Sequence, residues 1–326
     1  MRELAESIHR WRARGERVAL ATVVATRRSA PRPVGAKLAV SERGELQGSV
    51  SGGCVESDVA VQAAEVIEEG KPRLLSYGIT DDMAWNVGLP CGGEIDVFVE
   101  RFEGELPESD ELAVSVTVLE GERAGERRVL AADVVEPGPS RVLDLDGETV
   151  FAEMLGPPPR VVVIGAIDTA EELCRAAKSL GWRTVVTDPR PALATRERLP
   201  SPDELVVAWP DEALERLVPD RDTAVVVLTH DERLDLPALT SALAGEAFYV
   251  GAIGSRRTQA KRRERLIEAG ADEDELERLS GPAGLDLGAQ TPAETAVSIL
   301  AEILAVRAGR TGGRLREGNG RIHSTA

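Results

Sequence analysis

The first half of the chain contains short apolar runs with two different periods. Residues 1–16 have the spacing of a polar amphipathic helix, and residues 17–31 form a β-branched, apolar run typical of a buried strand. A second helix is predicted over residues 54–70, which Gly70 should end. The apolar residues on its inner face are Val55, Val59, Ala63, Val66 and Ile67.

Strand patterns dominate the remainder of this half. A hairpin is predicted around residues 42–44, and residues 94–102 alternate in polarity like a half-buried strand. Residues 111–155 contain several short apolar runs between turn sequences, which predicts a small β meander. The sequence GPPP at 156–159 cannot continue a regular element, so we expect an α+β domain over residues 1–155.

Beyond GPPP, strands alternate with helices. The strands are continuously apolar, as expected for a parallel sheet covered by helices on both faces. They are predicted at residues 160–166, 183–188, 205–210, 223–231 and 247–254. This alternation predicts an α/β fold, a Rossmann-like doubly wound parallel-sheet domain over residues 160–310, followed by a tail at 311–326.

The last long helix has a strong start signal. Thr291 and Glu294 have the spacing of a capping box, and Pro292 stands at the first helical position. We predict that Glu294, Ser298 and Glu302 form its polar stripe. The apolar residues expected to face inward are Val297, Leu300, Ile303 and Leu304.

Composition narrows the function classes. The chain has 39 basic and 56 acidic residues, a net charge of −17, which argues against a general nucleic-acid or anionic-membrane binder. It has no apolar run of about 18 residues and no signal-peptide pattern. Three cysteines are too few for a disulfide framework, and three scattered histidines form no common zinc-site spacing. We therefore expect a cytoplasmic protein in a reducing compartment.

The first loop of the second domain resembles a dinucleotide fingerprint incompletely. Gly165 and Ala170 fit the G-x-G-x-x-G/A pattern, but Ile167 replaces the glycine that lets backbone approach a pyrophosphate. Asp168 adds a negative charge where a phosphate would bind. Asp188 stands where a ribose-binding acid belongs, so an NAD(P)-dependent oxidoreductase remains the alternative hypothesis.

Two other loops at the carboxyl ends of predicted strands carry polar groups. Gly254, Ser255, Arg256 and Arg257 precede or open a helix, which fits an anion clamp or an N-cap serine with two solvated arginines. His230 and Asp231 stand at the end of the predicted strand 223–231, and His230 fits either a ligand-binding residue or a buried core histidine.

Two cysteines stand beside glycine pairs. Gly52 and Gly53 precede Cys54 at a predicted helix start, where N–H groups and the helix dipole should lower a thiol pKa. Cys91 is followed by another pair, Gly92 and Gly93.

The two thiols could bind a soft metal or a cofactor, form a reversible disulfide, or carry sulfur. The structural alternative is two small residues in tight turns. Cys174, on an apolar helix face, should be inert core. Arg32, in the irregular loop at 29–35, is a candidate anion partner.

Six ordered motifs over residues 17–310 together resemble the XdhC/CoxI family of xanthine dehydrogenase accessory proteins. They are SAPRPVGAKL, GSVSGGCVE, PCGGEIDVFVE, VVLTHD with LDLPAL, YVGAIGSRRT and GPAGLDLGAQTPAETAVSILAEILAVR. The resemblance implies a domain with the GGC and CGG motifs and a Rossmann-like domain. It also implies a chaperone that binds molybdenum cofactor, supports its sulfuration and delivers it to a molybdenum hydroxylase such as xanthine dehydrogenase.

The resemblance implies an accessory protein rather than an enzyme, since three cysteines cannot ligate the two iron–sulfur clusters of xanthine dehydrogenase. It assigns Cys54 and Cys91 to the cofactor's metal and sulfur, and the 229–231 and 254–258 loops to its binding. The loop at 165–168 reads GAID where the family has GAGH. A cysteine desulfurase is an expected partner, and a scaffold that only docks the two partners is a third hypothesis. A homodimer is expected from the frequency of closed dimers.

Overall fold

The computed structural model describes residues 2–28, 30–78, 93–106, 109, 111–136 and 138–318. Two compact units divide the chain, Met1–Pro157 and Pro158–Gly318. Within the described residues, no helix has the length and apolar character needed to cross a membrane.

The first unit begins with a five-stranded antiparallel sheet of order β3-β2-β1-β5-β4. Its strands are β1 (Val18–Arg27), β2 (Lys37–Ser41), β3 (Leu46–Gly48), β4 (Arg73–Tyr77) and β5 (Glu94–Arg101), with helices α1 (Arg2–Ala13) and α2 (Glu56–Glu69). Both predicted helices, the first strand and the 42–44 hairpin are confirmed. Gly70 ends α2 in the left-handed conformation, as expected.

The predicted alternation of β5 is wrong, because six of its eight residues are buried. β5 lies inside the sheet between β1 and β4, and both of its faces are covered. One face packs on α2 through Val97, and the other buries Phe98 against Phe151 of a second sheet. Covering both faces buries consecutive side chains, including Asp96 and Glu100, whose carboxylates accept hydrogen bonds from Arg27 and Arg127.

The second sheet of this unit has four antiparallel strands. They are β6 (Ala113–Val118), β7 (Arg127–Ala131), β8 (Arg141–Leu145) and β9 (Glu148–Leu155). Their order is β7-β6-β9-β8, so the last strand returns to pair with β6 and the predicted meander is wrong. The fully buried strand β6 gains a neighbour on each edge in this arrangement.

The second unit contains a six-stranded parallel sheet of order β12-β11-β10-β13-β14-β15. Its strands are β10 (Arg160–Ile164), β11 (Arg183–Thr187), β12 (Glu204–Val206), β13 (Thr223–Val227), β14 (Tyr249–Ala252) and β15 (Leu279–Ser280). The helices are α3 (Asp168–Ser179), α4 (Pro210–Leu217), α5 (Glu232–Ala244), α6 (Arg256–Glu268), α7 (Glu273–Glu277) and α8 (Pro292–Arg307). The predicted fold class, an α+β domain followed by a Rossmann-like domain, is confirmed.

The strand order places the topological switch point between β10 and β13, which is where doubly wound sheets bind ligands. All five predicted strands occur, although β12 keeps only three residues because Pro210 starts α4 soon after. β4 and β15 were not predicted, because the sequence RLLSY of β4 neither alternates in polarity nor is continuously apolar, and β15 has only two residues.

The capping box of α8 is confirmed, but its predicted polar stripe is wrong. Ser298 donates to the carbonyl oxygen of Leu285 at 2.5 Å, and the Glu302 carboxylate accepts from the Tyr249 hydroxyl at 2.5 Å. Conversely, 54% of Val297 and 40% of Leu304 remain exposed. The polar pair faces the protein because segment 284–285 and β14 supply hydrogen-bond partners there.

Candidate functional site

A single carboxylate organises the loop that precedes α2, residues 49–56, here called the cysteine loop. Glu56 Oε1 accepts from the Ser49 hydroxyl at 2.7 Å and from two backbone N–H groups, of Val50 at 3.1 Å and Ser51 at 2.8 Å. Glu56 Oε2 accepts from the Ser51 hydroxyl, from Gly53 N–H at 2.8 Å and from Val55 N–H at 3.2 Å. The loop is therefore wrapped around this side chain.

Ser51 completes the arrangement. Its buried hydroxyl oxygen accepts from the N–H groups of Cys54 and Val55, both at 2.9 Å. The N–H groups at this helix start are thus bound internally, by Ser51 and Glu56. Burial opposes ionisation of Glu56, but hydrogen bonds from Ser49 and Ser51 outweigh it and lower the carboxyl pKa to about 2.

The glycine pair presents Cys54 on the outside of this loop. Gly52 and Gly53 have φ angles of +76° and +110°, and a side chain at either would meet no atom within 4 Å. The glycines are therefore required by backbone conformation rather than by crowding. Cys54 itself is an exposed, free thiol.

Of the two cysteines predicted to act together, only Cys54 belongs to the described residues. Cys91 and Gly92 lie outside the described residues, and Gly93 is buried just before β5. Among the residues with described positions, no group of three or more His, Cys, Asp or Glu side chains could hold a metal ion. The metal site of Cys54 and Cys91 remains a prediction.

Two other residues were singled out in the sequence. Cys174 is completely buried in α3, and burial raises the pKa of its thiol to about 12, as expected for core. Arg32 lies exposed in the loop between β1 and β2. Within the described part of the first unit, it has no ion-pair partner and no hydrogen bond to the cysteine loop.

In the second unit, the loop after β10 is closed by the protein's own groups. Gly165 has a φ angle of +112°, and a Cβ there would lie 2.7 Å from the Thr229 methyl group. This glycine is needed for contact with the loop after β13, whatever ligand binds. Ile167 is half-buried and packs on the hydrophobic core, on the side of α3.

The carboxylate predicted at the ribose position is already engaged. Asp188 is fully buried and accepts from Ala166 N–H at 2.9 Å and from the Arg190 guanidinium at 2.8 and 2.7 Å. Burial opposes ionisation, but the hydrogen bonds from Arg190 and Ala166 lower the pKa of this carboxyl below its usual range. Asp188 thus joins two loops, and its oxygens are not free for a ribose.

The loop after β13 carries His230 and Asp231. His230 is exposed, so the core-histidine interpretation is wrong. Asp231 caps α5 and accepts from Arg233 N–H at 3.1 Å and from its guanidinium at 3.0 and 2.6 Å. The side-chain hydrogen bond from Arg233 lowers the Asp231 carboxyl pKa to about 2.

The segment 253–257, which comprises the loop after β14 and the first two residues of α6, is here called the basic loop. Gly254 has a φ angle of +134°, and Ser255 caps the helix by accepting from Thr258 N–H at 3.1 Å. Arg256 and Arg257 are exposed, and within described residues 158–318 neither their guanidinium nor their N–H groups have a partner. Two free cations at a helix N-terminus suit an anion.

Sequence reasoning missed Glu56 and a buried pair behind the basic loop, Asp235 and Arg262. A glutamate at a helix start after a Ser/Gly-rich loop is a usable signal, because such carboxylates often bind back to N–H groups. Arg262 had no signal, since it stands in an arginine-rich stretch that predicts a solvated helix face.

Comparisons with known proteins agree over both units. A family model described as the XdhC and CoxI family matches residues 11–78, and one described as the XdhC Rossmann domain matches residues 161–303. The chain is 30% identical over 294 residues to the molybdenum cofactor insertion chaperone PaoD of Escherichia coli (strain K12), covering 90% of this chain and 84% of that protein.

Two further relatives extend the likeness. A protein of Bacillus subtilis (strain 168), named as a probable subunit of xanthine dehydrogenase, is 29% identical over 316 residues, covering 90% of this chain and 94% of that one. A crystal structure described as a xanthine dehydrogenase from Bacillus halodurans superposes with a TM-score of 0.75 at 25% identity. The superposition covers 97% of this chain and 98% of that chain.

Proposed function

The chain belongs to the XdhC and CoxI family, and from this membership we propose that it is a molybdenum cofactor chaperone. It would bind the cofactor as cargo, support its sulfuration and insert it into xanthine dehydrogenase or a related molybdenum hydroxylase. The observation that carries the proposal is the 30% identity to a cofactor insertion chaperone over 90% of the chain. A cysteine desulfurase would be a second partner, and the working form would be a homodimer.

The basic loop supplies the chemistry that the phosphate of the cofactor needs. Arg256 and Arg257 stand at the first turn of α6, whose first turn has no acidic residue. Cations at a helix N-terminus are unfavourable by themselves and become favourable when an anion binds between them. We assign the cofactor phosphate to this loop, with Gly254 and Ser255 as its backbone and cap, and with His230 and Asp231 at its border.

The cysteine loop supplies the chemistry that a soft metal needs. Cys54 is exposed on a loop that Glu56 holds in one conformation, so the thiol is presented at a defined place. Thiolate sulfur is the preferred protein ligand of soft metals. We assign Cys54 to the metal end of the cargo, together with Cys91 and the flanking Gly92 and Gly93, and we place Arg32 among the anion partners.

Retention of the cofactor tests the proposal. Purified protein would be incubated with molybdenum cofactor released from a molybdenum enzyme, and bound molybdenum and pterin measured after gel filtration. The parent should retain both, whereas Cys54→Ala and Cys91→Ala should retain at least tenfold less. Cys174→Ala is the matched control, because it removes a thiol from the core. A parent without bound cofactor contradicts the proposal, and unaffected cysteine variants contradict the assigned thiols.

The geometry does not favour the alternative of an NAD(P)-dependent oxidoreductase. The Asp188 carboxylate is engaged by Ala166 and Arg190, and Ile167 stands where the fingerprint needs a glycine. Calorimetry with NAD and NADP tests this alternative. A dissociation constant well below the millimolar range would support this alternative, and the absence of measurable heat would contradict it.

A further inference from the structure

A buried ion pair lies behind the two polar loops of the second unit. Asp235 on α5 and Arg262 on α6 are joined by an Oδ2···Nη2 contact of 2.5 Å. Their side chains are only 8% and 5% exposed. Burying two charges is costly unless further hydrogen bonds satisfy both partners, so their remaining contacts indicate what the pair holds.

On one side, Arg262 holds the start of the basic loop. Its Nη1 donates to the carbonyl oxygen of Ile253 at 3.1 Å and to Gln259 Oε1 at 2.8 Å. Gln259 Nε2 in turn donates to the carbonyl oxygens of Ala252 at 2.9 Å and Ile253 at 3.2 Å. These two carbonyls directly precede Gly254. Side chains of α6 therefore fix the backbone just before Arg256 and Arg257 by hydrogen bonds.

On the other side, Asp235 holds the loop after β13. Its Oδ1 accepts from the buried Thr229 hydroxyl, and its backbone N–H donates to the carbonyl oxygen of Asp231 at 2.8 Å. Thr229 directly precedes His230. One ion pair therefore reaches both loops, and it also lines a cavity of about 510 Å³ together with His230 and Thr258.

We propose that Asp235 and Arg262 are positioning residues that set the spacing between His230–Asp231 and the basic loop. The role in cargo binding rests on the proposed function. An apolar pair of similar volume would keep α5 and α6 packed, but it would lack the directed bonds to Thr229 and Ile253. The charged pair would therefore fix the relative position of the two loops through these directed hydrogen bonds.

The first test measures how firmly the ion pair holds the two loops when no ligand is present. Hydrogen–deuterium exchange would compare the full-length parent with Arg262→Met over residues 228–231 and 253–259. Both segments should exchange at least tenfold faster in the variant, and they should change together. Arg127→Met is the matched control, because Arg127 forms a buried pair with Glu100 at 2.6 Å in the other unit. It should leave both segments unchanged.

Arg262→Lys and Asp235→Asn refine the test. A lysine keeps a charge near Asp235, but its single nitrogen cannot take the places of both Nη1, which bonds Ile253 and Gln259, and Nη2, which bonds Asp235, so it should restore only part of the protection. Asp235→Asn keeps one acceptor oxygen but loses the ion pair with Arg262, so it should increase exchange in both segments, by less than Arg262→Met does. Unchanged exchange in both segments of folded Arg262→Met would overturn the proposal.

The second test links register to cargo. Retention of molybdenum cofactor should fall at least tenfold in Arg262→Met, partly recover in Arg262→Lys and stay at the parental level in Arg127→Met. Equal retention in parent and folded Arg262→Met contradicts the positioning role in binding. A parent that retains nothing contradicts the proposed function instead, and the exchange result still decides whether the pair sets the loops.

Discussion

The cysteine loop and the basic loop have similar backbones but opposite charges. An acidic residue begins the helix after the first, and two arginines begin the helix after the second. Each leads into a helix and contains glycine with positive φ. In the cysteine loop, the Glu56 carboxylate and Ser51 bind the N–H groups at the helix start. In the basic loop, the N–H groups of Arg256 and Arg257 have no acceptor within described residues 158–318.

The difference shows that a glycine-rich turn before a helix does not by itself make an anion site. What decides is the charge of the first helical turn. Glu56 supplies an internal anion, so the cysteine loop is complete without a ligand and can present a thiol. The basic loop has two cations and no internal anion, so an external one completes it.

The largest effect should come from removing the internal anion. Glu56→Ala removes six hydrogen bonds, of which only that of Val55 N–H has a second acceptor, Ser51 Oγ, so it should lower the free energy of unfolding by about 2 kcal/mol. Hydrogen exchange at Gly53–Val55 should accelerate as well. Chemical denaturation and exchange measure the two effects. Glu68→Ala, an exposed acid on the same helix, should change neither, and equal effects would refute the role of Glu56.

The next largest effect concerns the external anion. Arg256→Ala/Arg257→Ala should weaken binding of inorganic phosphate at least tenfold, about 1.4 kcal/mol, because both guanidinium groups are free to bind it. Titration calorimetry at low salt measures the affinity. Arg263→Ala, an exposed arginine further along α6, should bind phosphate like the parent. Unchanged phosphate affinity in the double variant would contradict the proposed anion site.

A smaller effect is expected on acidification. The Glu56 pKa is about 2 in the folded chain against an ordinary 4.5, so its stabilisation is complete above pH 4.5 and lost as the pH falls toward 2. The stability difference between the parent and Glu56→Gln should therefore shrink steadily across this window. Urea denaturation of both proteins at pH 5, 4 and 3 measures it, and a constant difference would contradict the ionised carboxylate.

The smallest effect should come from adding an acidic residue to the helix start of the basic loop, as in the cysteine loop. Thr258→Glu places a carboxylate three residues after the Ser255 cap, which forms a capping box and should stabilise the protein by about 0.5 kcal/mol. The same carboxylate should weaken phosphate binding, because it supplies an internal anion. Thr258→Gln is the neutral control and should bind phosphate more tightly than Thr258→Glu. Equal phosphate affinity in the two variants would contradict the comparison.

Local patterns predicted more of the fold than of the site. The helical period of α2, the capping box of α8 and the apolar strands of the second unit each depend on neighbours in sequence, and all three are confirmed. The failures involve distant partners. β5 is buried on both faces because α2 and a second sheet cover it.

The site divides in the same way. Gly52, Gly53, Gly254 and Ser255 were predictable, because backbone conformation and capping are local properties. Asp188 was expected at a ribose, yet Ala166 and Arg190 bind it. Arg262 looks like one more solvated arginine of α6, and only the neighbouring helix supplies the buried Asp235 that pairs with it.

The sequence by itself determined the alternation of strands and helices, the turns beside the cysteine and the arginines, and the family. These follow from the period of apolar side chains, the backbone conformations that glycine allows and the order of the motifs. All three are properties of the order of residues along the chain. Only the tertiary structure decided which polar groups already have partners. A carboxylate inside a fold binds whatever donors the packing brings within about 3 Å. That is why Glu56 and Asp188 are engaged internally while Arg256 and Arg257 remain free for a ligand.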